Sequence, residues 1–115
     1  GVEDLERAVQ GEIARRQGCA ARLEKTWSVD RTPFDEVLVR RISAAAVELG
    51  YSHMPWVSGA GHDAAYVSRI CPTAMIFVPS IGGRSHVEVE TTPWDDCEAG
   101  CNVLLHAMLE RAGVA

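Results

Sequence analysis

Lysine is almost absent from this chain: of its basic residues only Lys25 is a lysine, and the arginines are scattered, with just Arg15-Arg16 and Arg40-Arg41 adjacent. Against a formal net charge of −5, that distribution offers no basic patch from which phosphate contacts could release counterions, so nucleic-acid binding is excluded. Long apolar runs are missing too. The longest are stubs such as Ala74–Pro79, far short of the roughly 20 residues a spanning helix needs, so no membrane partner is expected. No Cys-x-x-Cys pair occurs among Cys19, Cys71, Cys97 and Cys101, which argues against a zinc ribbon or a thioredoxin-like site. Those cysteines are expected to be buried or half-buried small side chains in a reducing cytoplasm. There is no internal repeat, no low-complexity tract and no basic-then-apolar leader. The chain opens at Gly1 rather than Met, which suggests a processing boundary or the edge of a longer polypeptide.

What remains is a 115-residue chain that is 47% hydrophobic, enough for a real core and too apolar for intrinsic disorder. Leu5, Val9 and Ile13 recur at helical spacing over residues 3–17, with acids at the start, Arg15 and Arg16 at the end and Gly18 as the stop. Residues 20–29 alternate. Ala21, Leu23, Lys25, Trp27 and Val29 share one side, predicting a half-buried strand. Thr32-Pro33 predicts a cap and first turn for a second helix, striped by Phe34, Val37, Leu38, Ile42, Ala45, Ala46 and Leu49 and ended by Gly50. A short helix is expected near 63–70 and a buried strand over Thr73–Val78. Thr92-Pro93 then predicts a final helix reaching about Ala112 on Ala99, Val103, Leu104, Ala107 and Met108. Two strands that never read as neighbours amount to an incomplete α/β unit, since sheets usually hold about five or six.

Chemistry concentrates between Trp56 and Thr92. The loop Ser58-Gly59-Ala60-Gly61-His62-Asp63 runs into the short helix, so its backbone N–H groups are placed to meet an anion or a carbonyl oxygen. His86 follows Gly82-Gly83 just past the second strand, at the edge where open α/β sheets hold ligands, and neutral imidazole is the commonest metal ligand. Each signal alone is weak. A histidine after a strand is usually an ordinary loop residue, and Gly-x-Gly is common in plain connections. Ser58 and Ser85 are poor nucleophile candidates, because a serine needs both a base and an orienting acid, and Ser85 and His86 are adjacent and expected to diverge. His106 is expected to be a satisfied polar position on the last helix.

Taken together and in order, Ser58–Ala64, Pro72–Ser80 and Gly82-Gly83-x-Ser85-His86-x-x-x-Glu90 resemble the C-terminal part of the dinuclear-metal amidohydrolases related to zinc aminopeptidases. Within them the chain is most similar to the branch of N-carbamoyl-L-amino acid hydrolase, β-ureidopropionase, allantoate amidohydrolase and ureidoglycolate amidohydrolase. The likeness is strong over residues 33–115. Residues 1–31 are similar to the last helix and strand of that family's inserted lid and dimerisation domain. The fold so implied is α/β: an incomplete C-terminal segment of a zinc-aminopeptidase-like catalytic domain over 32–115, preceded by the closing helix and strand of a ferredoxin-like lid over 1–31.

The resemblance implies that His86 is the last ligand to one of two divalent ions, zinc or manganese, and that Gly59, Gly61 and His62 form a loop on the substrate side. The metals would polarise the scissile carbonyl and activate a bridging water. The implied reaction is hydrolysis of a linear C–N bond in a carbamoyl or ureido compound, by a cytoplasmic enzyme that dimerises through its lid. The family's remaining ligands, a His-x-Asp motif, a Glu-Glu pair and a further His, have no counterpart here: none of His53, His62, His86 and His106 has an Asp two positions on. One imidazole cannot build a catalytic zinc site, which needs about three protein ligands, so the isolated chain is expected to be inactive and to hold metal weakly. Arg84 stands where the family usually has a small or aliphatic residue, Val87 where it has a small or polar one, and Arg84 is expected to face solvent. Two other readings stay open: a non-catalytic dimerisation or interaction module built on the unpaired strand of residues 20–29, and a fragment of a metallopeptidase of the same superfamily.

Overall fold

The computed structural model describes residues 2–16, 22–28 and 30–114. The chain divides into two compact units, Gly1–Asp30 and Arg31–Ala115.

The first unit is built on helix α1 (Val2–Arg15). Glu3 and Asp4 occupy its first turn and Arg15 its last, the order that complements the helix dipole. Glu12 lies 3.5 Å from Arg16 and 4.0 Å from Arg15, at helical spacings of four and three. Lys25 reaches back to Glu6 at 3.3 Å. The strand expected over residues 20–29 is not present among the described residues: 22–28 carry no regular structure, and Trp27 is exposed. Alternation specifies two faces, but a strand also needs a neighbouring backbone to complete its ladder. No strand lies beside this segment among the described residues. Gly18, Cys19, Ala21 and Val29 lie outside the described residues.

The second unit packs helix α2 (Glu36–Glu48) against helix α4 (Trp94–Ala112). Ala45 and Ala46 from α2 meet Val103 from α4 in the core, and small side chains on α2 let the helices approach closely. Ile42, Tyr51 and Ile76 close around them, and Asn102 donates from Nδ2 to the Tyr51 hydroxyl at 3.0 Å. Burying Val103 stabilises by about 1.5–3 kcal/mol. Beyond this small centre both expected stripes run out into solvent: Val37 on α2 and Leu104 and Met108 on α4 are exposed. Two polar pairs link the same helices, His106 Nε2 to Glu48 Oε2 at 2.8 Å and Arg41 to Glu110 at 3.3 Å. His106 is thus the satisfied polar position expected of it.

Helix ends follow the glycines. Gly50 has φ 77°, its N–H bonds to the Val47 carbonyl, and the next N–H, of Tyr51, bonds to the Ala46 carbonyl. That is a Schellman closure, and Gly113 (φ 72°) ends α4 with the corresponding bonds to Glu110 and Leu109. The helix starts differ from expectation. α2 begins at Glu36 with Asp35 as its cap, the carboxylate accepting from Leu38 N–H at 2.8 Å, so neither Thr32 nor Pro33 opens it. In α4 the cap position is held by Pro93 itself, without a side-chain bond, and the helix starts at Trp94.

Helix α3 is a single turn, Ala64–Val67, extended by turn bonds to Cys71. Residues 73–78 are not a strand either. They form an irregular segment, half-buried over 73–76 and exposed at Phe77 and Val78, whose Ile76 reaches the core, and the Thr73 carbonyl accepts from Asp35 N–H at 2.9 Å. The described architecture is therefore helical, and the α/β reading from these two segments is not realised within it. The cysteines also differ from expectation: Cys71 and Cys101 are exposed and only Cys97 is half-buried, all three as free thiols, while Cys19 lies outside the described residues. Among the described residues no helix is long and apolar enough to cross a membrane.

Candidate functional site

Three segments of the second unit bring the predicted site residues together. The first is the loop over 58–63. Ser58 and His62 stand four apart with Gly59 and Gly61 between them, and the chain folds back so that Ser58 Oγ lies 2.8 Å from His62 Nε2. The same Oγ accepts the Ala60 N–H at 3.1 Å. The second is the segment 73–78, whose Phe77 ring meets His62 edge to face at 5.5 Å between centroids. The third is the loop after it, which presents His86 edge to face with His62 at 5.8 Å.

The His86 loop is closed by its own backbone. The Ile81 N–H bonds to the Thr91 carbonyl at 2.9 Å, and a single 3₁₀ turn, Ile81–Gly83, uses the positive φ of Gly82 and Gly83 (69° and 65°) to reverse the chain. His86 is itself left-handed at φ 57°, the one described non-glycine residue with positive φ. That conformation costs a residue with a Cβ roughly 1–2 kcal/mol. It is held by Glu90, whose carboxylate accepts the His86 N–H at 2.7 Å, a charge-assisted bond of the stronger kind. Strain retained at one residue, against a specific clamp, is characteristic of positions where the side chain must be aimed. Arg84 is exposed, as expected.

His62 and His86, assigned to separate roles from sequence, therefore stand in contact. Gly59 and Gly61 are exposed on the same loop. A Cβ added at Gly59 would meet nothing within 4 Å, so the space beside that backbone is open to a ligand. One expectation weakens. The helix behind this loop is only Ala64–Val67, with no side-chain cap bond at Asp63, so it supplies little of a helix dipole. The contact sequence reasoning missed is Ser58 with His62. A hydroxyl four residues before a histidine, separated by two glycines, was its only signal. It is not a nucleophilic pair, because the neighbours of the His62 ring are Phe77 and His86 instead of an orienting carboxylate.

Among the described residues no group of three or more His, Cys, Asp or Glu side chains is placed to hold an ion. His86 and His62 alone fall short of the roughly three protein ligands of a catalytic zinc, so no catalytic step through a metal follows from this chain's residues.

Comparison with known proteins bears on the same region. The model of the peptidase family M20/M25/M40 matches residues 7–110. An N-carbamoyl-L-amino-acid amidohydrolase of Rhizobium meliloti is 44% identical over 102 residues, covering 89% of this chain and 24% of the relative. An allantoate amidohydrolase of Bacillus subtilis is 34% identical over 110 residues, covering 96% of this chain and 26% of the relative. Among solved structures, a hydantoinase/carbamoylase family amidase from Burkholderia vietnamiensis superposes with a TM-score of 0.84 at 44% identity, covering 96% of this chain and 27% of that one. The chain spans about a quarter of the length of these relatives. With a match over nearly its whole length, the chain belongs to the peptidase family M20/M25/M40.

Proposed function

We propose that this chain is the C-terminal part of a metal-dependent amidohydrolase that cleaves a linear C–N bond of a carbamoyl or ureido compound, the chemistry named for its relatives. The observation that carries the reading is the meeting of His62 and His86 at 5.8 Å, one on an open glycine loop and the other clamped in a left-handed turn. In this reading His86 supplies one imidazole to one of two divalent ions, zinc or manganese, whose other ligands lie outside this chain. Gly59, Gly61 and His62 face the substrate, the glycines through backbone N–H groups and open space, the histidine through its ring. Residues 1–31 belong to a lid and dimerisation domain and 32–115 to the catalytic domain of a cytoplasmic homodimer.

The isolated chain is then inactive and binds metal weakly. Isothermal titration with zinc or manganese reads this directly, and tight stoichiometric binding by the 115-residue chain overturns it. In the complete enzyme, ammonia release from N-carbamoyl amino acids is expected, with loss of turnover in His86→Asn. Hydrolysis of dipeptides in place of carbamoyl compounds would return the assignment to a metallopeptidase.

A further inference from the structure

The two hydrogen bonds on Ser58 constrain His62. A serine hydroxyl has one proton to give and two lone pairs to accept with. One lone pair is taken by the Ala60 N–H at 3.1 Å. A hydroxyl that accepts a hydrogen bond becomes a stronger donor, because chains of hydrogen bonds polarise one another. The partner 2.8 Å away is His62 Nε2, a nitrogen that in a neutral ring either carries the proton or accepts one.

We infer that Ser58 is a positioning residue whose Oγ–H donates to His62 Nε2 and holds the neutral ring as its Nδ1–H tautomer. His62 then offers an N–H donor, from Nδ1, to an acceptor oxygen of the ligand. This step rests on the substrate-side role proposed above. The chemistry is selective. A carboxylate or ureido oxygen presents only lone pairs, so the opposite tautomer would set the Nδ1 lone pair against it. Phe77 and His86, both edge to face with the ring, hold its plane while Ser58 sets its proton.

His106 provides the contrast within the same chain. Its Nε2 lies 2.8 Å from the Glu48 carboxylate, which can only accept, so His106 must carry its proton on Nε2. As neutral rings the two histidines are therefore expected to be of opposite tautomer, and one spectrum distinguishes them.

The test is a long-range 1H–15N correlation spectrum of the imidazoles in the uniformly 15N-labelled 115-residue chain at pH 8. His62 is expected to show a pyridine-type Nε2 and a pyrrole-type Nδ1, with His106 reversed. In Ser58→Ala the His62 pattern is expected to move to the mixed average of the exposed His53, and Ser58→Thr, which keeps the hydroxyl, to restore it. A His62 pattern identical to that of His106, or one unchanged in Ser58→Ala, overturns the inference. Should Ser58→Ala fail to fold, the wild-type pattern alone decides. Because the tautomer is read in the free chain, this result is separate from whether the complete enzyme hydrolyses a carbamoyl compound.

Discussion

Gly100→Ala separates helix propensity from packing on α4. Gly100 lies within this 19-residue helix, where replacing glycine by alanine gains roughly 0.5–1 kcal/mol through the reduced backbone freedom of the unfolded chain. The new Cβ, however, would stand 2.5 Å from Val78 Cγ1, far inside the roughly 3.5–4.0 Å of an ordinary carbon contact. Val78 is β-branched and stiff at χ1, so its methyl moves only if the 73–78 segment shifts with it. Overpacking of this kind costs about 1–3 kcal/mol. The balance is a net loss of about 0–2.5 kcal/mol where propensity alone promises a gain. Urea unfolding followed by far-UV circular dichroism reads the difference, and a double-mutant cycle isolates the contact. Val78→Ala removes Cγ1, so Gly100→Ala in that background is expected to recover about 1–3 kcal/mol relative to its effect in the parent. If Gly100→Ala stabilises the chain by its full propensity, with no coupling to Val78→Ala, the packing of α4 against residues 73–78 is refuted.

Three further outcomes follow from single residues. Asp35→Ala is expected to destabilise by about 0.5–2 kcal/mol, because it leaves the Leu38 N–H without its carboxylate, while Asp35→Asn keeps most of the cap; paired urea titrations check this. At His86, glycine adopts φ 57° without strain and alanine does not, so His86→Gly is expected to be more stable than His86→Ala by about 1 kcal/mol in the same assay. Gly59→Ala has open space around its new Cβ and is expected to change stability by no more than about 0.5 kcal/mol. On the substrate-side role proposed for Gly59, the same methyl would intrude beside the substrate of the complete enzyme, so a raised KM with an unchanged unfolding midpoint is the expected pair of readouts.

What could be read from the sequence divides by the distance over which each feature is specified. Gly50 ends α2 as expected, and Gly113 closes α4 just past its expected end at Ala112, because a left-handed closing residue is a local demand that glycine meets. The start of α2 was harder: Thr32 and Asp35 are both good caps within one turn's length, and the choice fell to Asp35, whose carboxylate reaches Leu38 N–H. Ser58 with His62 is local too, yet nothing in a Ser-Gly-Ala-Gly-His run states that the loop closes on itself rather than extending into solvent. The left-handed His86 had only its neighbours Gly82 and Gly83 as a signal.

The strands expected over 20–29 and 73–78 are absent among the described residues for a different reason. Alternation over 20–29 and apolar continuity over 73–78 report how a segment would sit in a sheet, but a sheet is completed by partners distant in sequence. The relatives are about four times longer than this chain, and the expected stripes on α2 and α4 end in exposed Val37, Leu104 and Met108. The same division between local and distant determinants holds at the site. The Ser58, His62 and His86 geometry is made by short loops within the second unit, so it is set by this chain's own residues. A metal centre draws its ligands from several segments, and the described residues bring no group of three or more donors together, so two short loops can fix how His86 is aimed without building a site for an ion.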